Sequence, residues 1–511
     1  MVLIHPPLTR PCEPPPGLAK IAGALKDHEI RHLVIDSNIE ALVHLLSTSD
    51  LPRDTWTRRS ALHLHDNLRS LKDGSAFRNT GAYSQAVTEL SRILDVRARP
   101  HGYHMNLSNL THRSLSPVRS TDLLHAAENP EENVFYPYFR KRLQDLLEDH
   151  SPQYMGFSLN YLSQALTTFA MIGYVKTLNP DTKILLGGGL VTSWVRGPLR
   201  STLFEGVVDT ISGEPGEDVI LSLLEKPLPS GDITPDFEVF STYEYLSPGR
   251  VFPFSTSTGC YWGTCSFCPE RAEGTRFTHI SLSSVPSLLE DMIMGNPQAL
   301  IHFCDNAMSP SLLTGISRKG LSSPWYGFAR FTPHLAEADF CSSLRKSGCV
   351  MLQLGLESGD QSVLDELEKG IRLDTAAQAL KNLKRSGIAT YVYLLFGTPS
   401  EDYESALKTL DFVAVHHESI DFLNLSIFNL PRNSPDAARH QTYDFTDGDL
   451  SLYQGFVHPK GWDRNRVRQF LDKEFKRNRA IARIVRRDPP FFTSNHAPFF
   501  AITAQGSGNS S

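Results

Sequence analysis

The sequence lacks any long hydrophobic run and any strong excess of one charge. No window approaches the roughly 18 to 20 apolar residues that a membrane-spanning helix needs, and the first residues show no basic run followed by an apolar stretch. The net charge of −6 over 511 residues is too small for a nucleic-acid coat or an acidic tail. We therefore expect a soluble, cytoplasmic protein with neither a membrane nor a nucleic acid as its partner.

Cysteine is also scarce, and its distribution argues against a secreted disulfide framework. Such frameworks have an even number of well-spread cysteines, whereas this chain has seven. Cys260, Cys265 and Cys268 are crowded together, while the other four are scattered. A reducing compartment with a metal site fits this distribution better than disulfide bonds do.

Strand-like and helix-like patterns alternate in two separate parts of the chain. In the first part they predict a doubly wound, Rossmann-like parallel sheet over residues 1–240, with a helical insertion at about 46–150. Between residues 250 and 435, six strand-like runs separated by helical patterns predict a partial (β/α)6 TIM-type barrel. Residues 436–511 are expected to form a small, mainly helical C-terminal segment or cap. The predicted fold class is therefore α/β.

The C-terminal segment carries three more detailed predictions. Residues 464–487 have the pattern of one long helix, and residues 505–511 have the composition of a disordered tail. The stretch 487–496 combines aromatic residues, an amide and a histidine. It is expected either to fold over the barrel mouth as a cap or to close the hydrophobic core.

The cysteine cluster follows the first predicted barrel strand, at the end of the barrel where loops carry chemistry. Three soft thiolates can bind three irons of a four-iron cubane and leave the fourth iron open to a cofactor or substrate. A structural zinc site completed by Cys304 is the alternative for the same residues. Zinc sites usually pair two Cys-x-x-Cys units and this chain has one, so the spacing favours the iron-sulfur cluster.

Further motifs stand at the ends of the predicted barrel strands. They are Asp305-Asn306, Arg330, Gly355-Leu356-Glu357-Ser358-Gly359 and Gly397-Thr398-Pro399. Together with the cysteine loop, this order resembles the radical S-adenosylmethionine superfamily, specifically its members with an N-terminal cobalamin-binding-like domain. The usual loop of that family is Cys-x-x-x-Cys-x-x-Cys, so this chain has one extra residue between Cys260 and Cys265.

The resemblance implies a 4Fe-4S cluster on Cys260, Cys265 and Cys268, with S-adenosylmethionine beside it. The residues expected to contact S-adenosylmethionine are Phe267, Arg330, Gly355, Glu357, Ser358 and Gly397. The aromatic ring would pack on adenine, the guanidinium would pair with the carboxylate, and the acidic and hydroxyl side chains would bind the ribose or the amino group. The two glycines would allow the backbone to approach the ligand closely.

Cobalamin is left open by the sequence. Glycine-rich and polar motifs at the predicted strand ends of the N-terminal domain resemble those of cobalamin-binding domains. The Asp-x-His-x-x-Gly motif that supplies a lower histidine ligand is absent, because the first strand leads into His5-Pro6-Pro7-Leu8 instead. The chain is therefore expected either to bind cobalamin with no protein lower ligand or to have lost it.

The predicted function is that of a radical S-adenosylmethionine enzyme. It would generate a 5′-deoxyadenosyl radical that attacks a small-molecule or peptide substrate, with methyl transfer as the leading outcome. A reductase such as a flavodoxin or ferredoxin would supply the electron. Cys304 is a candidate for a thiol role toward the substrate. The alternative is a non-catalytic zinc or iron-sulfur binding scaffold or electron carrier.

Overall fold

The computed structural model describes residues 1–47, 54–200, 202–229, 231–296, 299–444, 448–490 and 496–506. The chain divides into two compact units, the first formed mainly by Met1–Val251 and the second beginning at Phe252. The finer division predicted from the sequence, with a third segment at 436–511, stays a proposal. In the described part of the chain, no helix is long and apolar enough to cross a membrane.

A five-stranded parallel sheet forms the centre of the first unit. In sheet order its strands are Leu33–Asp36, Val2–His5, Tyr154–Ser158, Lys183–Gly187 and Thr210–Ile211. Numbered along the chain, the order is 2-1-3-4-5, which is the flavodoxin-like doubly wound arrangement. The strand order reverses between the first and third strands, and ligands bind such sheets at the carboxyl ends of the strands flanking that point. The predicted Rossmann-like sheet is confirmed.

The helices of the first unit either flank this sheet or form the insertion. Those that follow sheet strands are Pro16–Asp27, Ser37–Ser47, Leu162–Leu178, Gly189–Arg196 and Gly216–Leu223. Those of the insertion are Thr55–Leu62, Leu64–Lys72, Thr80–Ala98, Ser120–Glu128 and Tyr136–His150. The insertion also contains a small antiparallel hairpin, Tyr103–Met105 with Leu110–His112. The hairpin falls in a polar stretch whose short strands give little hydrophobic periodicity.

A six-stranded sheet forms the core of the second unit. Barrel strands 1 to 6, which neighbour one another in chain order, are Val251–Phe254, Leu300–Phe303, Trp325–Ala329, Cys349–Glu357, Ala389–Phe396 and Phe422–Ile427. Strands 2 to 6 pair in parallel. The predicted partial barrel is thus confirmed.

Helices and short strands complete the second unit. The helices are Pro269–Ala272, Val285–Ile293, Pro310–Lys319, Ala338–Lys346, Gln361–Glu366, Leu373–Arg385, Tyr403–Val415, Arg464–Lys473, Arg479–Arg487 and Pro498–Gly506. The short strands are Ser257–Thr258, Thr278–His279, Leu430–Pro431, Thr442–Tyr443 and Tyr453–Phe456.

The two faces of the barrel sheet differ in burial. On barrel strand 5, Val392 is fully buried, whereas Tyr393 and Leu395 are only half-buried. Successive side chains of a strand point to opposite faces, so the buried set packs under the helices and the half-buried set lines the concave face. Tyr393 lies in register with Gly355 on strand 4 and Asn424 on strand 6, and both are also half-buried. The barrel sheet therefore keeps an open concave face at its carboxyl half.

The described part of the C-terminal stretch lies at the opposite end of the barrel strands. The ring of His496 stacks on Tyr391, with centroids 5.7 Å apart and planes 18° apart, and meets Phe422 edge-on at 4.9 Å. Both partners lie near the amino ends of their strands. His496 thus closes the core, and it does not cover the carboxyl ends where the cysteines lie. The rest of the predicted cap, 491–495, and the tail beyond Gly506 lie outside the described residues.

Candidate active site

The three cysteines lie in one loop, residues 259–268, which we call the cysteine loop. It leaves the barrel sheet through Ser257–Thr258, which pairs with Thr278–His279. Gly259 has φ +74°, and a Cβ there would lie 2.8 Å from the carbonyl oxygen of Arg276. Gly263, with φ +65°, provides a second left-handed turn within the loop. Both turns need glycine, because larger residues rarely adopt this backbone conformation.

All three thiols of the loop are free, and they differ in exposure. Cys265 is buried, whereas Cys260 and Cys268 are half-buried. Cys268 stands at the N-cap of the short helix Pro269–Ala272. Burial raises the pKa of the Cys268 thiol above its usual value, so a positively charged ligand is needed to favour the thiolate form.

A second segment, Leu367–Gly370, holds the cysteine loop in place, and we call it the clamp. The backbone N–H of Ser266 donates to the carbonyl oxygen of Leu367 at 3.1 Å. The carbonyl oxygen of Glu368 accepts from Trp262 Nε1 at 2.9 Å and from Thr264 Oγ1 at 3.3 Å. The loop is thus positioned by hydrogen bonds that do not use any of its thiols.

The clamp also fits the loop sterically. Gly370 has φ +67°, and a Cβ added to it would lie 1.9 Å from Cζ2 of Trp262. The indole ring therefore occupies the space that any other side chain at residue 370 would need. Trp262, Lys369 and Gly370 were not singled out from the sequence, since no spacing rule connects a loop after strand 1 with a turn after strand 4.

Lys369 and Glu357 form a buried ion pair beside the loop. Lys369 Nζ donates to Glu357 Oε1 at 2.7 Å, and the two side chains are 7% and 11% exposed. The same ammonium lies 5.4 Å from the ring centroid of Phe267. Glu357 has φ +68°, a conformation that non-glycine residues adopt at a cost and that clusters at functional sites. The structure therefore connects Glu357 to Phe267 of the cysteine loop through a lysine that sequence reasoning missed.

Gly355 and Ser358 have different surroundings. A Cβ at Gly355 would lie 2.5 Å from Glu357 Oε1, so only glycine leaves room beside that carboxylate. Ser358 is fully buried, lies 3.2 Å from Thr409 Oγ1 and accepts from the backbone N–H of Asp360. These contacts occupy its hydroxyl in the packing of a neighbouring helix. A contact of Ser358 with S-adenosylmethionine stays a prediction.

Arg330 directly follows barrel strand 3 and is buried. Its guanidinium lies 4.5 Å from the ring centroid of Trp262, and Nη1 donates to Cys265 Sγ at 3.7 Å. Nη2 donates to the carbonyl oxygen of Lys369. The structure thus places Arg330 against both the cysteine loop and the clamp. Its predicted pairing with a carboxylate stays a prediction.

The end of barrel strand 2 supports the approach to the loop. Asp305 is buried and accepts from Thr256 Oγ1 at 2.7 Å and from Ser257 Oγ at 2.5 Å. Cys304, one residue earlier, is half-buried, and its Sγ lies 3.6 Å from His302 Nδ1. The role of Asp305 is therefore to fix the strand that enters the loop, while a role of Cys304 toward a substrate stays a prediction.

Gly397 is tied to a buried carboxyl group that sequence reasoning also missed. The backbone N–H of Gly397, which has φ +79°, donates to Glu401 Oε2 at 2.5 Å. Trp462 Nε1 donates to the same oxygen at 2.9 Å. Burial raises the pKa of Glu401 to about 8. The group therefore stabilises the turn after strand 5, and no contact of Gly397 with a cofactor is needed to explain its conformation.

The switch point of the N-terminal sheet is a second candidate ligand site. Gln164 Nε2 donates to the carbonyl oxygen of Pro6 at 2.7 Å, and Ser163 Oγ donates to that of Leu8 at 2.9 Å. His5 is buried, its Nε2 lies 3.3 Å from Thr9 Oγ1, and burial lowers its pKa to about 4. His5 therefore does not present an imidazole at the sheet edge.

The donor set of the cysteine loop fits a 4Fe-4S cluster. In the described residues, no group of three or more His, Cys, Asp or Glu side chains converges as ligands of a single metal ion would. A cubane does not need such convergence, because each thiolate binds a different iron. Positive charges at Arg330 and Lys369 beside the loop would offset the negative charge of a thiolate-ligated cluster.

Comparisons with known proteins concern the domain that carries the cysteine loop and the fold as a whole. Residues 254–413 match the model of the radical SAM superfamily. A methyltransferase of Pyrococcus horikoshii, described as uncharacterised, is 26% identical over 312 residues, which are 52% of this chain and 65% of that protein. Bacteriochlorophyllide d C-12(1)-methyltransferase of Chlorobaculum tepidum is 24% identical over 53% of this chain and 60% of its own length. The chain thus spans less than two thirds of each of these two relatives.

Among solved structures, the fold is similar to that of the radical S-adenosylmethionine methyltransferase TsrM from Kitasatospora setae. The structure with tryptophan and the analogue aza-SAM bound has a TM-score of 0.58 at 14% identity, covering 100% of this chain and 99% of that chain. The structure with cobalamin and a [4Fe-4S] cluster bound has a TM-score of 0.51 at 16% identity, covering 85% and 73%. The resemblance to the radical S-adenosylmethionine superfamily is thus confirmed for the domain at residues 254–413.

Proposed function

We propose that the chain is an enzyme that holds a 4Fe-4S cluster on Cys260, Cys265 and Cys268 and uses it to cleave S-adenosylmethionine reductively. The main support for this proposal is that the cysteine loop is fixed in position. Its three free thiols stand at the carboxyl end of a barrel sheet, and hydrogen bonds to the clamp fix the loop without using them. Such preorganisation is what a site needs to accept a cluster in one geometry.

The residues around the loop have different proposed roles. When bound, the cluster and S-adenosylmethionine supply a 5′-deoxyadenosyl radical, which abstracts hydrogen from a substrate. Glu357, oriented by Lys369, is placed to accept hydrogen bonds from the ribose or amino group, and Gly355 leaves the space beside it free. Phe267, held near Lys369, offers a ring face to the adenine. Contacts of Gly397 and Ser358 with S-adenosylmethionine are part of the same proposal.

The concave face of the barrel sheet is the proposed substrate site. Its half-buried side chains include Phe328, Tyr393, Leu395 and Asn424. Cys304, directly after barrel strand 2, is also half-buried and is the closest of these residues to the cysteine loop in the sequence. Active sites of such barrels lie at the carboxyl ends of their strands. A small molecule or a peptide side chain seated there would meet apolar and neutral polar groups.

We further propose that the N-terminal unit binds cobalamin and that methyl transfer is the reaction. The 2-1-3-4-5 sheet places its switch point at the loop after His5, and a bound ligand would receive no lower ligand from that buried imidazole. Two further observations support methyl transfer. The two relatives described above are methyltransferases by name, and the fold is similar to that of TsrM, a radical S-adenosylmethionine methyltransferase with cobalamin bound.

The proposed partners are a one-electron reductase, such as a flavodoxin or a ferredoxin, and the substrate. Seven free cysteines and an oxygen-sensitive cluster would both require a reducing compartment, so we propose a cytoplasmic location. The substrate itself is proposed only as a small molecule or a peptide.

Anaerobic reconstitution tests the proposal. The purified chain is loaded with iron and sulfide, and electron paramagnetic resonance of the reduced protein is recorded with and without S-adenosylmethionine, followed by chromatography for 5′-deoxyadenosine. We expect a four-iron signal that S-adenosylmethionine perturbs, and we expect 5′-deoxyadenosine to form.

Two cysteine variants complete this experiment. Cys265→Ala should lose both the signal and the product, whereas Cys349→Ala, which removes a buried thiol within strand 4, should keep them. Bound zinc with no cluster would contradict the proposal and support the alternative of a non-catalytic scaffold. Separate addition of cobalamin, followed by its absorption spectrum, tests the N-terminal unit independently.

A further inference from the structure

Arg330 contacts the cysteine loop in a way that a ligand-binding arginine would not need. Its Nη1 donates to the sulfur of Cys265 at 3.7 Å, within the range of hydrogen bonds to sulfur, and the central carbon of its guanidinium lies over the ring of Trp262, 4.5 Å from the centroid. Nη2 donates to the carbonyl oxygen of Lys369. One planar group therefore joins a proposed iron ligand, the loop and the clamp.

These contacts hold the guanidinium in a fixed orientation. Arginine presents several N–H donors in a rigid plane and stacks on aromatic faces, whereas lysine presents a compact charge on a flexible stem. Trp262 is itself held by its hydrogen bond to Glu368 and by the absence of a side chain at Gly370. Arg330 is 6% exposed, so its charge acts with little screening by water.

An N–H donor and a positive charge beside a ligating sulfur favour the reduced state of a cluster. Reduction adds one negative charge, part of which is shared by the thiolate sulfurs, so a hydrogen bond to sulfur strengthens on reduction. Hydrogen bonds to the sulfurs, net charge and exposure are the features that set iron-sulfur potentials, and groups that orient a metal ligand tune the metal. Removing Arg330 should therefore make the cluster harder to reduce.

We propose that Arg330 is a positioning residue that acts through Cys265 to raise the reduction potential of the cluster, so that a biological one-electron donor can reduce it. The proposal rests on the proposed function, because it requires the cluster. It assigns Arg330 a role different from the pairing with the carboxylate of S-adenosylmethionine, which the sequence predicts. The stack on Trp262 and the bond to the clamp keep the N–H directed at the sulfur.

A redox titration of the reconstituted chain, without S-adenosylmethionine, tests this role. The fraction of reduced cluster is followed by electron paramagnetic resonance at set potentials in the wild type and in Arg330→Gln, Arg330→Lys and Arg271→Gln. For Arg330→Gln we expect about tenfold less reduced relative to oxidised cluster at the wild-type midpoint, which corresponds to a shift of 59 mV to more negative potential. Arg330→Lys should shift the midpoint in the same direction by less, because it keeps the charge and loses the stacked geometry.

Arg271→Gln is the matched control. Arg271 also carries a charge beside the cysteine loop, but its guanidinium donates to Thr264 and Glu368 and not to a thiol in the described structure. The backbone N–H of Arg271, which faces the Cys268 thiol, is kept in the variant. Its loss should leave the midpoint unchanged. Equal shifts for Arg271→Gln and Arg330→Gln would overturn the role of the specific N–H to sulfur contact.

The remaining outcomes separate this inference from the proposed function. An unchanged midpoint in Arg330→Gln, together with weaker binding of S-adenosylmethionine, would overturn the inference and support the carboxylate pairing. A folded Arg330→Lys chain that takes up no cluster would also overturn it, because Arg330 would then be needed to hold the loop. If the wild type itself takes up no four-iron cluster, the proposed function fails first.

Discussion

The two parallel sheets of this chain use the carboxyl ends of their strands differently. In the N-terminal sheet, the carboxylate of Asp36 accepts from Tyr245 Oη at 2.7 Å and from the backbone N–H of Asn38 and Ile39 at 3.1 Å each. Asp36 is therefore buried and fully engaged in capping the next helix. A polar residue at a strand end thus has a structural explanation there.

In the barrel sheet, reactive groups at the strand ends are left free while their surroundings are fixed. Cys260 and Cys268 are half-buried, and the hydrogen bonds of their loop involve neighbouring residues such as Trp262 and Ser266. A strand-end position alone therefore does not mark a functional residue. The useful sign is a cluster of chemically capable groups in a loop that is held in place mainly by contacts of their neighbours.

The largest expected effect on stability comes from the ion pair beneath the cysteine loop. Lys369→Met leaves the buried carboxylate of Glu357 without its partner, and breaking a buried pair costs about 3 to 5 kcal/mol. Lys183→Met is the counterpart in the N-terminal sheet, where Lys183 is 54% exposed and pairs with Asp209 at 3.1 Å. That exposed pair should cost less than about 1 kcal/mol. Urea unfolding measures the loss in free energy of unfolding for each variant. Losses of similar size would contradict the prediction.

A buried carboxyl group in each unit should make the stability of the chain depend on pH. Burial raises the pKa of Glu401 from its usual 4.5 to about 8 and that of Asp36 from its usual 3.8 to about 7. Each group therefore stabilises the fold fully at low pH, and this contribution is lost as pH rises through the folded pKa. Between about pH 4 and pH 8 the wild type should lose a contribution of the order of 2 to 4 kcal/mol for each group.

Amide variants isolate the two contributions. Glu401→Gln should remove the part of the fall in stability with pH that extends to about pH 8. Asp36→Asn should remove the part that ends near pH 7. Urea midpoints from pH 5 to pH 9 give the profiles. Asparagine can still accept the hydrogen bond of Tyr245, which limits other losses. A Glu401→Gln profile parallel to the wild type would show that this carboxyl group does not titrate in the window.

Two glycine-to-alanine variants test the backbone requirements after strands of the two sheets. Gly370→Ala would place a Cβ 1.9 Å from Trp262, and Gly188→Ala, after a strand of the N-terminal sheet, would place one 2.5 Å from the carbonyl oxygen of Leu159. Both glycines have positive φ, so each variant should lose about 1 to 3 kcal/mol of stability. Only Gly370→Ala should also lower the iron and sulfide bound per chain. An equal loss of iron in Gly188→Ala would remove the distinction between the sheets.

The strands and the cysteine loop could be predicted because their signals are local. The runs that became barrel strands 2 to 6 are bounded by polar residues, and four motifs lie at the ends of strands 2 to 5. Three thiols in one loop likewise need no tertiary information to suggest a metal site. The predicted fold class is confirmed for this reason.

The contacts that hold the site could not be predicted, because they join residues far apart in the sequence. Trp262 meets Gly370 and Glu368 across more than a hundred residues, and Glu401 meets Trp462 across 61. Asp305 was identified from its position, yet its bonds to Thr256 and Ser257 are visible only in the fold. Pairings of this kind depend on strand register and turn geometry. The hydrophobic periodicity of the sequence predicts neither of these.

The smallest expected effect tests the break in the predicted helix 464–487. The break was missed because the apolar spacing continues through it, while Asn478 is its only strong local sign. The structure has helices Arg464–Lys473 and Arg479–Arg487, with the side chain of Asn478 accepting from the backbone N–H of Ala480 at 3.0 Å and of Ile481 at 3.5 Å.

The sign of one substitution distinguishes the two arrangements. Asn478→Ala removes an N-cap and should cost about 1 kcal/mol, whereas in a continuous helix alanine would be the better residue and would stabilise. Gln469→Ala, at an exposed position within the first helix, is the matched control and should change stability by no more than a few tenths of a kcal/mol. Urea midpoints of the two variants give the sign. A more stable Asn478→Ala chain would mean that the helix runs through residue 478.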